Sequence, residues 1–328
     1  MKPRRSLFAV LTLLALPACE LEGVRPPPAA LPSEAAPTPT PTPLPTPFPA
    51  NASCGGCPAL PCTRECLQAL AEGGPVLRPY PGGPCPALQP GSNRVFGSNL
   101  RDFLLYVPTT TRGPFGLVFL WSAGGKAQGF DFLATRYDAD GYILVIPGGD
   151  ARYPLTWAMD AGGLDHDLRF FDEVVACVSE QFPLDRRRVH STGYSVGAVF
   201  SAYLMAHRSD TLASFSGWST GETDPGGRRM VTRPRRPVPG LLYHGGMNDK
   251  PDWAGRKGTL ALAAHMTQAG ALAIVCDHGS GHVVPGPTVE GTMGQMWSFM
   301  LAHPFGDETA WKTGGLAGRL PDHCAVAD

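Results

Sequence analysis

The chain has 328 residues, with 27 Lys and Arg against 28 Asp and Glu, for a net charge of −1 with neutral histidines. At about 100–200 residues per domain, this length fits one large domain or two small ones. Near-neutrality without a basic stripe argues against nucleic acid as a partner, and 40 Gly with 35 Pro suits a loop-rich, exported protein.

The first 18 residues read as a lipoprotein signal peptide. Lys2, Arg4 and Arg5 form a positive start, and "LFAVLTLLAL" is an apolar core too short to span a bilayer stably. "LPAC" then ends at Cys19, the expected lipidation site, which would tether the protein to a membrane, the outer membrane or cell surface. Residues 19–50 follow as a linker in which "PTPTPTPLPTP" favours extended polyproline II, a semi-rigid stalk with no core.

Nine cysteines are present. Setting Cys19 aside leaves Cys54, Cys57, Cys62, Cys66, Cys85, Cys177, Cys276 and Cys324, an even set that reads as disulfides in an exported chain. Residues 51–93 are expected to be a small cystine-stapled segment, and the same context argues against a zinc site in "CGGCPALPCTREC". Pairing is not legible in the sequence.

From residue 94 the pattern changes to strands alternating with helices. "DFLLYVP", "GLVFLW", "YILVIPGGD", "RRVHSTG" and "VPGLLYHG" read as strands. "LRFFDEVVACVSEQF", "SVGAVFSAYLMAH", "GTLALAAHMTQAG" and "MGQMWSFMLAHP" read as helices; in the first, Leu168, Phe171, Val174, Val175 and Val178 recur at helical spacing. Such alternation predicts an α/β fold over residues 94–328, with a mostly parallel sheet covered on both faces and a site at the carboxyl ends of its strands.

The most informative five residues are "GYSVG". Ser195 stands between an expected strand and an expected helix, the context required of a nucleophile elbow. Gly193 and Gly197 suit a turn too tight for side chains. The backbone N–H of Val196, at a helix start, suits an oxyanion. A serine needs a base and the base an orienting acid, in the chain order Ser, acid, His. Asp249, in "HGGMNDKPDW", is the expected acid, with Asp252 the weaker candidate. His282, in "GSGHVVP", is the expected base, and His278 is read as a loop residue.

The segments "GLVFLWSAGG", "YILVIPGGD", "RRVHSTGYSVGA", "YHGGMND", "CDHGSGHVVP" and "WSFMLAHPFG" resemble the secreted esterases that include polyhydroxybutyrate depolymerases, feruloyl esterases and acetylxylan esterases. The resemblance spans about residues 94–306. It implies an α/β-hydrolase fold and ester hydrolysis through an acyl-enzyme, with Ser195 as nucleophile, His282 as base and Asp249 as acid. It also implies the backbone N–H of Ala123 as the second oxyanion donor. Three departures stand out. Trp121-Ser122 replaces the family's His-Gly, Asn248 occupies the usual position of the acid, and Ala198 replaces a glycine after the motif.

Trp121, Trp157 and Trp218 are expected to line the substrate cleft, and Trp297 to pack in the core. Asp167 reads as a helix cap or first-turn acid. Cys177 and Cys276 are expected to staple the domain, the latter bracing the His282 loop. The chemistry calls for no metal and no organic cofactor. The expected substrate is an ester, polymeric in keeping with the stalk. A serine peptidase of the same fold, and a degenerate hydrolase that only binds polysaccharide, are the alternatives.

Overall fold

The computed structural model describes residues 74–97, 101–123, 134–149, 157, 159, 164–285, 291–308, 310–314 and 318–328. The signal peptide, Cys19, the linker and the cluster Cys54, Cys57, Cys62 and Cys66 lie outside the described residues.

Nine strands form one sheet: β1 (Gly91–Phe96), β2 (Arg101–Tyr106), β3 (Phe115–Trp121), β4 (Tyr142–Pro147), β5 (Leu184–Tyr194), β6 (Ser214–Trp218), β7 (Gly240–His244), β8 (Ala273–Asp277) and β9 (Cys324–Val326). Their order across the sheet is β1-β2-β4-β3-β5-β6-β7-β8-β9. The run from β4 to β8 is parallel. β1 and β2 on one side, and β9 on the other, pair antiparallel. The helices are α1 (Ala134–Ala139), α2 (Leu164–Gln181), α3 (Val196–His207), α4 (Arg256–Gln268), α5 (Thr292–Ala302) and α6 (Ala310–Gly314).

The central strands are apolar on both faces, as a sheet covered on both sides requires. Along β3, Leu117, Phe119 and Trp121 enter one core with α2, α3 and α4. Val118 and Leu120 enter a second core with α5 and Trp311 of α6. The two-residue period of a strand thus divides one apolar run between two layers.

β1, β6, β8 and β9 were not anticipated as strands, and β6 carries the clearest reason. Its sequence "SFSGW" is half polar, yet Ser214 and Ser216 are wholly buried. They pair sideways with β5: Ser214 Oγ lies 2.8 Å from His190 Nδ1, and Ser216 Oγ 2.8 Å from Thr192 Oγ1. Buried hydroxyls that satisfy each other make a polar sequence compatible with a central strand.

The described part of the cysteine-rich segment, residues 74–93, is built into this domain. Val76 donates its N–H to the Asp210 carbonyl at 2.7 Å, Leu77 and Leu88 are buried in the core, and Cys85 is bonded to Cys177 of α2. Cys276 of β8 is bonded to Cys324 of β9, so Cys177 and Cys276 anchor two separate bridges. Asp167 lies in the first turn of α2, but it is fully buried and ion-paired with Arg101, whose Nη1 donates to the Gly148 carbonyl at 2.8 Å. It ties α2 to the β2 edge rather than capping a solvated helix end.

Candidate active site

Five short connections leave the carboxyl ends of parallel strands and converge. They follow β3 (Ala123), β5 (Ser195), β6 (Ser219), β7 (Asp249) and β8 (His282).

Ser195 joins β5 to α3 with φ 54° and ψ −125°, in the region L residues rarely adopt. Such strain persists only where its surroundings impose it. Here the Ser195 N–H donates to the Trp218 carbonyl at 2.8 Å, and a Cβ at Gly193 would lie 2.5 Å from the Gly197 carbonyl carbon. A Cβ at Gly197 would lie 2.0 Å from the Trp121 carbonyl oxygen. The two glycines therefore let β5 and the segment after β3 close on the start of α3. That contact brings the backbone of Trp121 and Ser122 against Gly197, the residue after Val196.

His282 meets both neighbours. Its Nε2 lies 2.8 Å from Ser195 Oγ and its Nδ1 2.7 Å from Asp249 Oδ1. The second carboxylate oxygen of Asp249 accepts from Ser219 Oγ at 3.0 Å and from the Gly245 N–H at 2.9 Å. Burial alone would raise the pKa of Asp249, but the hydrogen bonds from His282, Gly245 and Ser219 outweigh it and hold the carboxyl below the usual range. Asp252 is exposed and paired with Lys250. The position shift at Asn248 is absorbed by a single 3₁₀ turn, Gly246–Asn248, which delivers Asp249 to the histidine.

The histidine loop is docked on the acid loop by backbone bonds. The Gly281 N–H donates to the Gly245 carbonyl and the His278 N–H to the His244 carbonyl, both at 2.9 Å. His278 Nδ1 accepts from the N–H of Ser280 at 3.2 Å, which keeps it within its own loop. The hydroxyl of Tyr194 donates to the His282 carbonyl at 2.6 Å, with the two rings 5.3 Å apart. Burial first, and the charge of Asp249 second, raise the pKa of this phenol and keep it a donor.

The tryptophans require a correction. Trp121, Trp157 and Trp218 are all buried, at 0%, 1% and 0% exposure, so they do not line an open cleft. Trp121 packs against Trp157 and Phe200, with ring centroids 5.0 and 4.5 Å apart. Trp157 donates its Nε1–H to the Ser122 carbonyl at 3.0 Å and so braces the segment after β3. Trp218 stacks on Tyr243 and donates to Thr292 Oγ1 at 3.1 Å. Trp297 is buried in the core. Tyr194 and Ser219 also belong to the site, and neither was expected there from the sequence. Tyr194 is the first variable residue of "GYSVG", which was the one available signal; nothing in the sequence marks Ser219.

No family model matches the chain. A bifunctional acetylxylan esterase/xylanase of Neocallimastix patriciarum is similar over 115 residues at 25% identity, covering 35% of this chain; the chain spans only 16% of that protein's length. Native pOPH superposes with a TM-score of 0.59 at 18% identity, covering 74% of this chain and 97% of that structure. Native sOPH gives 0.56 at 18% identity, over 75% and 96%. Dipeptidyl peptidase 4 of Porphyromonas gingivalis gives 0.50 at 12% identity, over 62% and 33%. At these identities the likeness is one of architecture, and it agrees with the strand order: the chain has the α/β-hydrolase fold.

Proposed function

We propose that the protein is an extracytoplasmic serine esterase that cleaves carboxylic esters through Ser195, His282 and Asp249. The carrying observation is the unbroken contact from Ser195 Oγ through the His282 ring to Asp249, at 2.8 and 2.7 Å, on a strained strand-to-helix turn. With Nδ1–H donated to Asp249, Nε2 is left to accept the Ser195 hydroxyl proton. Ser195 Oγ attacks the ester carbonyl carbon, and its proton passes to Nε2. The tetrahedral oxyanion is held by the N–H groups of Val196 and Ala123. Collapse expels the alcohol, which takes the proton from Nε2. Water, deprotonated by the same nitrogen, attacks the acyl-enzyme and releases the acid and free Ser195.

Similarity to a protein named acetylxylan esterase/xylanase supports an acylated polysaccharide as substrate, and a polyester is the other polymeric ester in view. Export is supported by the two disulfides. Lipidation of Cys19, with the proline-rich stalk, would hold the domain off a membrane toward such a polymer. The test is hydrolysis of p-nitrophenyl acetate and butyrate, with fluorophosphonate labelling, by the wild type, Ser195→Ala and His282→Ala. Turnover and labelling by the wild type, and loss of turnover in both variants, are expected. A folded wild type that neither turns over nor labels would overturn the reading in favour of a binding cleft.

A further inference from the structure

The connection from β6 to β7 contains "GRRMVTRPRR", with Arg228, Arg229, Arg233, Arg235 and Arg236 within nine positions. Four of these have acidic partners. Arg228 pairs with Asp224, Arg229 with Glu222, Arg235 with Asp210, and Arg236 with Glu308. Arg233 is exposed and makes no ion pair among the described residues.

Arg233 stands on the wall of a groove of about 490 Å³ between this connection and the last turns of α4. Arg229, Thr232, His265 and Gln268 share that wall, and no lining residue is acidic. Glu222 is buried and contacts two of the lining residues. One of its oxygens accepts from Arg229 Nη2 at 2.9 Å, and the other lies 2.8 Å from His265 Nδ1. Glu222 thereby fixes the orientation of two groove residues. Arg229 still leaves 63% of its side chain exposed, and Nε2 of His265 is the ring nitrogen not engaged with Glu222. The groove is lined by two guanidiniums, an imidazole, an amide and a hydroxyl, with no acid among its lining residues.

From this arrangement we infer that the groove is a binding site for an oxyanion carried on a small polar body, a sugar carboxylate or a phosphate group. Guanidinium forks match both anions in bidentate geometry, and the volume falls in the range of small-ligand sites. None of its lining residues belongs to the triad, so the site does not rest on the esterase reading. A site of this kind would hold an acidic chain on the flank of the domain while the triad works elsewhere.

The test is isothermal titration of the purified full chain with sodium glucuronate, inorganic phosphate and, as the uncharged control, glucose. Glucuronate or phosphate should bind at ~1 mM or tighter at low salt, weaken in 0.5 M NaCl as expected of an exposed charge contact, and glucose should give no heat. The tighter of the two anions names the source. Arg233→Ser, at an exposed residue with no ion pair among the described residues, should weaken binding at least tenfold, and Gln268→Ala several-fold. Both variants should keep the melting temperature and p-nitrophenyl acetate turnover of the wild type. Absence of binding by both anions at 20 mM, or equal binding by the wild type and Arg233→Ser, would overturn the site.

Discussion

The hydroxyl of Tyr194 donates to the carbonyl oxygen of His282 at 2.6 Å, so the residue just before Ser195 holds the loop that carries His282. Ser195 and His282 are 87 positions apart in the chain, and this bond fixes their spacing independently of the contact between them. In Tyr194→Phe the ring remains and the donor is lost. A net hydrogen bond is worth ~1 kcal/mol, so kcat is expected to fall about fivefold with KM unchanged. Steady-state kinetics on p-nitrophenyl butyrate would check it; a change confined to KM would place Tyr194 in substrate contact instead.

The two candidate acids separate cleanly by mutation. Asp249→Asn should lower kcat by ~10³–10⁴-fold, as when the orienting acid of a triad is neutralised, whereas Asp252→Ala should leave it within about twofold. Stability should follow the ionisation of Asp249. Its folded pKa is lowered, so its contribution is complete above the ordinary carboxylate range and is lost as pH falls through the folded value. The gap in melting temperature between the wild type and Asp249→Asn should therefore be present at pH 7 and close in strong acid.

Gly197 is predicted to tolerate no side chain. A methyl there meets the Trp121 carbonyl at 2.0 Å, and that carbonyl lies two residues before Ala123, the proposed second oxyanion donor. Gly197→Ala should destabilise the fold by about 1–3 kcal/mol or more and lower turnover by a larger factor than Tyr194→Phe does. Urea unfolding, run beside activity on the still-folded fraction, would separate the two effects.

A second pH effect comes from the core. His190 is fully buried between Tyr142 and Ser214, and burial pushes its pKa down to about 3. Unfolding lets it take up a proton below pH 6.5, so this residue should cost stability as pH falls from there toward 3, at about 1.4 kcal/mol per unit. Replacing it with Gln should flatten that part of the melting curve in a pH series.

Most of the central architecture was legible because the sheet is covered on both faces. Runs such as "GLVFLW" and "YILVIP" must then be apolar throughout, and the helices between them keep their own spacing. Ser195, Asp249 and His282 were legible for a different reason, since each sits in a glycine-marked loop after a strand, in a fixed chain order. What could not be read depends on lateral contacts. β6 looks like a loop until His190 and Thr192 appear beside its serines. The tryptophans look like cleft residues until Phe200 and Tyr243 appear against them. Ser219 acquires meaning only when β7 delivers Asp249 within reach of its hydroxyl. The pairing of Cys85 with Cys177, and of Cys276 with Cys324, joins positions 92 and 48 apart with no local signature.

β9 is three residues long, yet it decides what the far side of the sheet offers to other molecules. Without it, β8 would present an open ladder of N–H and C=O groups, a template for a strand from another chain. Cys324 bonds to Cys276 at the register position where the two strands pair, so the cover is held covalently. Reduction of that one bond should therefore express itself first as self-association through an uncovered edge, at concentrations where the oxidised protein stays dispersed, and only later as loss of the loops that carry Asp249 and His282.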